Sequence, residues 1–126
     1  MSDPTHLYTG WLVDPAERDG LLARLPTRYA LTVAHHVTLK FGDSAGQPPR
    51  DTVGQIVGEA DDGKGAQAMV VRIDGDTMRP DGGTFHITWS LAEGREARES
   101  NDVIARDGWR VFDAPIPVRL LGKPAD

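Results

Sequence analysis

Glycine and proline divide this chain into short apolar runs, and that punctuation limits the possible folds more than any other feature. The 126 residues include 14 Gly and 9 Pro, which fall between the runs, where turns belong. The runs are rich in branched and aromatic residues and are bounded by turn signals, as strands are. They predict strands over residues 7–13, 33–41, 67–73, 84–91 and 115–121.

Helices are predicted in the connections between these strands. Asp14-Pro15 is typical of a helix start, and the leucines that follow form an apolar stripe. A weaker helix is predicted over residues 52–60, and a Ser-Asn-Asp segment predicts the cap of a short helix over residues 100–106. Pro117 places the last strand at a sheet edge or near a bulge. The order of elements predicts one α+β domain, residues 1–126, with helices packed on a mixed sheet.

Composition excludes several classes of function. The chain has no cysteine, which removes disulfide frameworks, thiolate metal sites and cysteine nucleophiles. Fourteen Lys and Arg against nineteen Asp and Glu give a net charge of −5, so we expect no DNA-binding surface, although a local cluster can hold one phosphate. No apolar run is long enough to span a membrane, and no signal peptide is visible at the start. We therefore expect a cytoplasmic protein.

Two of the predicted strands repeat one short pattern, His36-Val37-Thr38-Leu39 and His86-Ile87-Thr88-Trp89. Side chains on a strand alternate between faces, so His and Thr two positions apart point the same way. This alternation predicts that Lys40 shares the face of His36 and that Ser90 shares the face of His86. His35 falls on the opposite, apolar face and is expected to be structural.

These residue types suit acid–base chemistry on a phosphate ester. Imidazoles titrate near neutrality, so one can accept a proton while the other donates one. Threonine hydroxyls can donate hydrogen bonds to phosphate oxygens, and an activated cyclic ester then needs no metal. His35 and His36 are adjacent on a strand and point apart, so we expect neither a metal site nor a cofactor. Each of these residues can also be read as an ordinary buried histidine or strand threonine, and that alternative stays open.

At these motifs the sequence resembles the two-histidine (2H) phosphoesterases, which are defined by a pair of His-x-Thr/Ser motifs on strands. Glu99-Ser100-Asn101-Asp102 resembles the Ser-Asn-Asp segment in the cyclic phosphodiesterase domain of fungal-type tRNA ligases and related RNA-repair proteins. The likeness runs from about Tyr8 to Leu121. The span between the two motifs is shorter than expected of larger family members, which indicates a compact form.

The resemblance implies a compact bilobal fold, with two small antiparallel-rich sheet halves around a central cleft and helices packed outside. It implies that His36 and His86 are the acid–base pair, with His86 as base and His36 as acid, and that Thr38 and Thr88 bind the substrate phosphate. Further substrate contacts are expected from residues on the same faces and in the Ser-Asn-Asp segment: Tyr8, Lys40, Ser90, Ser100 and Asn101.

The expected function is a metal-independent phosphodiesterase that opens 2′,3′-cyclic phosphates of RNA 3′ ends or small nucleotides to a 2′-phosphate. The same two histidines and two threonines also fit a 2′-5′ phosphodiesterase or ligase-like enzyme and a hydrolase of cyclic oligonucleotide messengers. A further alternative is a non-catalytic domain that binds a nucleotide or phosphate on the same scaffold. We expect a monomer that makes no membrane contact.

Overall fold

A computed structural model describes residues 8–41 and 48–123 of the chain. The first position of the strand predicted over residues 7–13 falls outside these ranges. The elements in chain order are β1 (Tyr8–Val13), α1 (Pro15–Arg24), β2 (Leu31–Thr32), β3 (His36–Phe41), β4 (Thr52–Asp61), β5 (Ala66–Arg72), β6 (His86–Leu91), α2 (Glu99–Asp107) and β7 (Arg110–Lys123).

The strands close into one antiparallel barrel. The order β6-β3-β1-β7-β4-β5 returns to β6 through the β5–β6 pairing, and β2 pairs with the end of β6 beside β3. Six strands with two helices make a mostly-sheet α+β protein, so the predicted α+β class is confirmed. The sheet is purely antiparallel where pairing is described, whereas the sequence predicted a mixed one.

Two apolar clusters lie on opposite sides of the barrel wall. The inner cluster takes residues from all six barrel strands, including Trp11, Val37 and Ile87, and α1 adds Leu21 to it. The outer cluster packs α2 against β4, β5 and β6. Its buried members are Val57, Ala60, Ala66, Ala68, Val70, Leu91, Val103 and Ile104. The barrel wall near α2 is therefore buried on both faces.

The first helix starts as predicted. The Asp14 carboxylate accepts a hydrogen bond from the Ala16 N–H at 2.9 Å, and Pro15 occupies the first helical turn. This cap satisfies a backbone donor that the helix itself leaves without a partner. The helices have 10 and 9 residues, and no helix in the described part of the chain is long and apolar enough to cross a membrane.

The helix predicted over residues 52–60 is wrong, because this segment is the barrel strand β4. The register shifts between Ile56 and Gly58, where a bulge interrupts the alternation. Ile56 packs in the inner cluster and its neighbour Val57 packs in the outer one, as alternation along a strand requires. Because both faces of the segment are buried, its apolar residues do not alternate with polar ones, and their spacing resembles that of a helix.

The prediction for Pro117 is confirmed. Pro117 pairs with Gln55 of β4, whereas β1 reaches only residues 120–123 of β7, so this stretch of the strand has a neighbour on one side. The β4–β7 register also shifts just beyond it, between the pairs Ile56–Ile116 and Gly58–Val111. A residue without an N–H fits where one side of the strand makes no ladder.

Candidate functional site

The two His-x-Thr motifs lie side by side on the outer face of the barrel. β3 and β6 pair at Val37 and Ile87, and both of these side chains belong to the inner cluster. Because side chains alternate along a strand, the residues flanking this pair point outward. The four motif side chains, His36, Thr38, His86 and Thr88, therefore share one face.

A hydrogen bond to the backbone fixes the proton on His86. Its Nδ1 lies 2.8 Å from the Thr84 carbonyl oxygen, and a carbonyl can only accept, so Nδ1 carries the proton. In the neutral ring the lone pair is then on Nε2. His86 is 9% exposed, and burial lowers its pKa to about 4, while the bond to Thr84 raises the pKa and the nearby Arg79 guanidinium lowers it. The ring is thus a neutral base at neutral pH.

His36 has side-chain partners instead of a backbone one. Its Nδ1 lies 3.0 Å from Nδ1 of His35, and its ring stacks on Tyr8 with centroids 4.2 Å apart and planes 21° apart. The side chain is partly exposed. Burial, followed by electrostatic interactions with His35, His86 and Lys123, lowers the pKa of His36 to about 4.

The expectation that His35 is a core residue is wrong, because its side chain is exposed. Ala34, the residue before it, has a φ of 43°, in the left-handed region. This turn separates β2 from β3, so the strand predicted over residues 33–41 is interrupted at 33–35. The alternation is lost there, and the rings of His35 and His36 meet edge to face.

The two motif threonines have different surroundings. The Thr88 hydroxyl lies 2.9 Å from the Ser100 hydroxyl and donates to the Ala97 carbonyl oxygen at 3.3 Å, so it is held by α2 and the loop before it. No hydrogen bond joins the Thr38 hydroxyl to another described residue. Of the two hydroxyls, Thr38 has the capacity to donate to an anion without losing a bond.

The Ser-Asn-Asp segment docks α2 onto the motif strand. Ser100 is fully buried against Thr88, and the Asn101 side-chain oxygen accepts a hydrogen bond from Arg79 Nη2 at 3.1 Å. The predicted cap at Ser100 is wrong, since the helix begins at Glu99 with Arg98 in the capping position and no side-chain cap bond. Ser100 is a structural contact of the site, and Asn101 lies between α2 and Arg79.

Two bulges move Lys40 and Ser90 away from the predicted face. Along β1, Gly10 pairs with Thr38 and the adjacent Thr9 pairs with Lys40, so Lys40 lies on the opposite face from Thr38. The Ser90 hydroxyl donates to the Gln67 side-chain oxygen at 2.5 Å, inside a polar network at the barrel end. In β3 and in β6, one extra residue shifts the register, so the side chains that follow it point to the opposite face.

Tyr8 and Lys123 complete the surroundings of His36. Lys123 pairs with Gly10, and its Nζ lies 4.2 Å from the centroid of the Tyr8 ring. A side chain at Gly10 would clash with the Val37 carbonyl oxygen, so glycine allows β1 and β3 to approach closely. The Tyr8 ring, expected to contact the substrate, contacts His36 and Lys123 instead.

Sequence reasoning missed two cations of this site, Arg79 and Lys123. Arg79 is 5% exposed, forms an ion pair with Asp81 at 3.1 Å and packs on Gly83. Arg79 belongs to a turn whose sequence indicates no functional role. The backbone pairing of Met78 with Thr84 brings this turn close to His86. Lys123 lies beyond the predicted end of the last strand. No sequence signal we know of identifies either residue.

The site is cationic although the chain carries a net charge of −5. Lys123 acts electrostatically on His36, and Arg79 acts on His86. Within the described residues no group of three or more His, Asp or Glu is placed to hold a metal ion. Positive charge from Lys123 and Arg79 therefore acts on the two imidazoles, with the Asp81 carboxylate paired to Arg79 at 3.1 Å.

Comparisons with known proteins identify no relative: no family model, no curated protein and no solved structure matches this chain.

Proposed function

We propose that this protein is a metal-independent phosphodiesterase of the two-histidine type that opens 2′,3′-cyclic phosphates of RNA ends or nucleotides. His86 is the general base and His36 is the general acid. The observation that carries the proposal is the outward-facing set of two His and two Thr on neighbouring strands, together with the proton that Thr84 holds on Nδ1 of His86.

The reaction follows from the free nitrogens of the two rings. Nε2 of His86 takes a proton from water, whose oxygen attacks phosphorus as the bond to O3′ breaks. A proton on Nε2 of His36 passes to O3′, which leaves as a hydroxyl group. The product is a 2′-phosphomonoester with a free 3′-hydroxyl. Acid–base catalysis of this kind contributes on the order of 10²- to 10⁴-fold.

The cations and Thr38 supply contacts for the phosphate. Charge develops on the non-bridging oxygens as water adds, and donors placed beforehand stabilise it. The Thr38 hydroxyl has no competing bond within the described residues. Lys123 pairs with Gly10, the same residue that pairs with Thr38, so these two residues flank a position that has no side chain.

The proposal includes a two-lobed arrangement within the barrel. β3 and β6 share the registered pair Val37–Ile87, while the rest of β3 pairs with β1 and the rest of β6 with β5. One histidine therefore comes from each side of a short seam. A substrate that spans this seam would contact both. We propose a monomer that acts on an RNA 3′ end or a small cyclic nucleotide in the cytoplasm.

A substrate panel in buffer containing EDTA tests the proposal. The panel holds 2′,3′-cyclic nucleotides, RNA with a 2′,3′-cyclic end, 2′-5′-linked oligonucleotides and cyclic dinucleotides. We expect turnover of the 2′,3′-cyclic phosphates, with 2′-phosphate as the product. Val53→Ala is the matched control, because Val53 is 64% exposed on β4 and lies outside the site.

Three results would contradict the proposal in different ways. Loss of activity in EDTA with rescue by a divalent ion would indicate metal catalysis. If the protein turns over only 2′-5′ linkages or cyclic dinucleotides, the two-histidine mechanism would stand and the proposed 2′,3′-cyclic substrate would be wrong. Saturable binding of a 2′-nucleotide without turnover of any substrate would indicate a non-catalytic binding domain.

A further inference from the structure

A hydrogen bond between neighbouring imidazoles links His35 to the proposed acid. Their Nδ1 atoms are 3.0 Å apart, and the ring planes meet at 82° with centroids 5.2 Å apart. A hydrogen bond between two ring nitrogens needs one N–H and one lone pair. The two Nδ1 atoms therefore share a single proton, and its position decides what the other nitrogen of His36 carries.

The two positions of that proton give His36 opposite roles. If His36 donates, its Nε2 has the lone pair, and the site then contains two bases, since Thr84 already gives His86 that form. If His35 donates, a neutral His36 carries its proton on Nε2, where the leaving oxygen needs it. Acid–base catalysis by this pair requires the second arrangement.

We infer that His35 is a positioning residue that holds His36 in the acid form and replaces the proton that His36 gives away. The inference rests on the proposed function. Starting from a His35 imidazolium, Nδ1–H of His35 passes its proton to Nδ1 of His36 while Nε2–H of His36 passes its proton to O3′. Both rings end neutral, His36 with Nδ1–H and His35 with Nε2–H, and no imidazolate forms. His86 then releases to solvent the proton that it took from water, and solvent returns one proton to Nε2 of His36 while Nδ1–H of His36 passes back to Nδ1 of His35.

The surroundings explain why His36 needs such a partner. Within the described residues, the groups that act on its charge are His35, His86 from β6 and Lys123 from β7, the Tyr8 phenol stacks on its ring, and no carboxylate is among them. With burial, these groups lower the pKa of His36 to about 4. An imidazolium on His36 is therefore scarce at neutral pH. His35 is exposed to water, which can supply its proton.

The backbone holds His35 in place for this contact. Ala34 adopts a left-handed conformation, with a φ of 43°, which costs a non-glycine residue on the order of 1 kcal/mol. Three bonds maintain it: Ala34 N–H donates to the Thr88 carbonyl, Arg18 Nε donates to the Ala34 carbonyl, and Val13 N–H donates to the His35 carbonyl. Arg18 is the charged residue of α1 beside this turn. The turn brings the two rings together, which a regular strand would separate.

The proton position is measured directly by nitrogen-15 NMR of the histidine rings in the intact protein near neutral pH. We expect Nε2–H on His36 and Nδ1–H on His86. In His35→Ala the nitrogen-15 shifts of the His86 ring should be unchanged. Those of His36 should instead correspond to a mixture of the Nδ1–H and Nε2–H forms. Nδ1–H on His36 in the natural sequence would overturn the inference, and this readout does not depend on any activity.

Kinetics separate loss of the acid from general damage. His35→Ala should lower kcat on a 2′,3′-cyclic nucleotide by about ten- to a hundredfold, with KM nearly unchanged. The same variant should retain the rate on a p-nitrophenyl phosphodiester that the natural protein hydrolyses, because nitrophenolate leaves without a proton. Leu31→Ala, at a site 51% exposed on β2, is the control.

The outcomes distinguish this inference from the proposed function. Equal losses of rate on both esters, or no loss on the cyclic nucleotide, would overturn the role of His35 and leave the proposed function standing. If the natural protein hydrolyses no phosphodiester, the proposed function fails, and the NMR assignment still decides whether His35 donates to His36.

Discussion

The two His-x-Thr motifs have the same sequence pattern and quite different environments. In the first motif, on β3, His36 is partly exposed and contacts the side chains of His35 and Tyr8. In the second, on β6, His86 is buried and bonded to the Thr84 carbonyl. The same sequence pattern thus gives one imidazole with side-chain partners and one imidazole that is held by a backbone carbonyl.

The threonines extend the same contrast. Thr88 is bound to Ser100 and to the Ala97 carbonyl, so the second motif anchors α2 to the barrel. Thr38 makes no hydrogen bond to another described residue. The comparison teaches that the second motif has a structural role at its threonine, whereas the threonine hydroxyl of the first motif has no hydrogen bond to a described residue. Substitutions in the two motifs should therefore have different effects.

Replacing either histidine should give the largest effect. His36→Ala and His86→Ala should each lower kcat/KM on a 2′,3′-cyclic nucleotide on the order of 10²- to 10⁴-fold, because each removes one proton-transfer group. The double variant should fall little further, since the two groups act as a unit. Only His36→Ala should retain the rate on a p-nitrophenyl phosphodiester, which needs no acid. If both variants retain this rate, His86 is not the base.

The buried histidine should make stability depend on pH. Its pKa is about 4 in the folded protein against 6.5 for the unperturbed side chain, so between these values the unfolded chain binds more protons. The free energy of unfolding should therefore decrease as pH falls from 6.5 to 4, with about 3 kcal/mol from His86. Urea unfolding from pH 7 to pH 4 measures this decrease. The slope should be smaller in His86→Gln, and an equal slope would contradict the assignment.

The same pKa values set the acid limb of the rate profile. Protonation of His86 abolishes the base, so kcat/KM should fall as pH decreases through about 4 rather than through 6.5. A profile measured over the range in which the protein stays folded tests this. A fall centred near 6.5 would mean that the catalytic base is an unperturbed imidazole.

Thr38→Ala should affect activity and leave stability nearly unchanged. The hydroxyl has no described partner to lose, while a hydrogen bond to a charged phosphate contributes about 1.5–3 kcal/mol, or roughly ten- to a hundredfold. Steady-state kinetics and urea unfolding on the same preparation separate the two quantities. Thr38→Ser is the control that keeps the hydroxyl and should recover most of the rate.

Thr88→Ala should show the opposite behaviour, with the smallest effect on the chemical step. It leaves the buried Ser100 hydroxyl without its partner, which costs about 1–3 kcal/mol of unfolding free energy. Ser100→Ala combined with Thr88→Ala should destabilise by less than the sum of the single variants, because the residues share one bond. If Thr88→Ala loses rate without losing stability, the contrast between the motifs is wrong.

Local patterns predicted the elements that carry most of this site. Branched and aromatic runs identified the strands β1, β5 and β6, and Asp14-Pro15 identified the start of α1. Each of these signals depends on neighbours in sequence, such as side-chain alternation or a capping oxygen. The segment 52–60 was misread because the barrel core and α2 bury both of its faces and a bulge interrupts its alternation, and both features depend on how the strands and the helix pack.

Face assignments failed wherever the register shifts. Lys40, Ser90 and His35 were all placed by strict alternation, and each follows a bulge or a left-handed residue. Such irregularities depend on which strands pair and how closely they approach, as at Gly10 beside β3. No local pattern in this sequence indicates them.

The sequence by itself determined that two His-x-Thr strands exist and that each His shares a face with its Thr, because alternation over two residues needs nothing but an extended backbone. Only the tertiary structure decided what each imidazole contacts. The turn at Ala34 gives His36 a histidine partner, while Thr84 gives His86 a carbonyl partner. It also brought Arg79 and Lys123 to the site from distant parts of the chain. A ring's proton follows from its partner, and that partner depends on the path of the backbone in three dimensions.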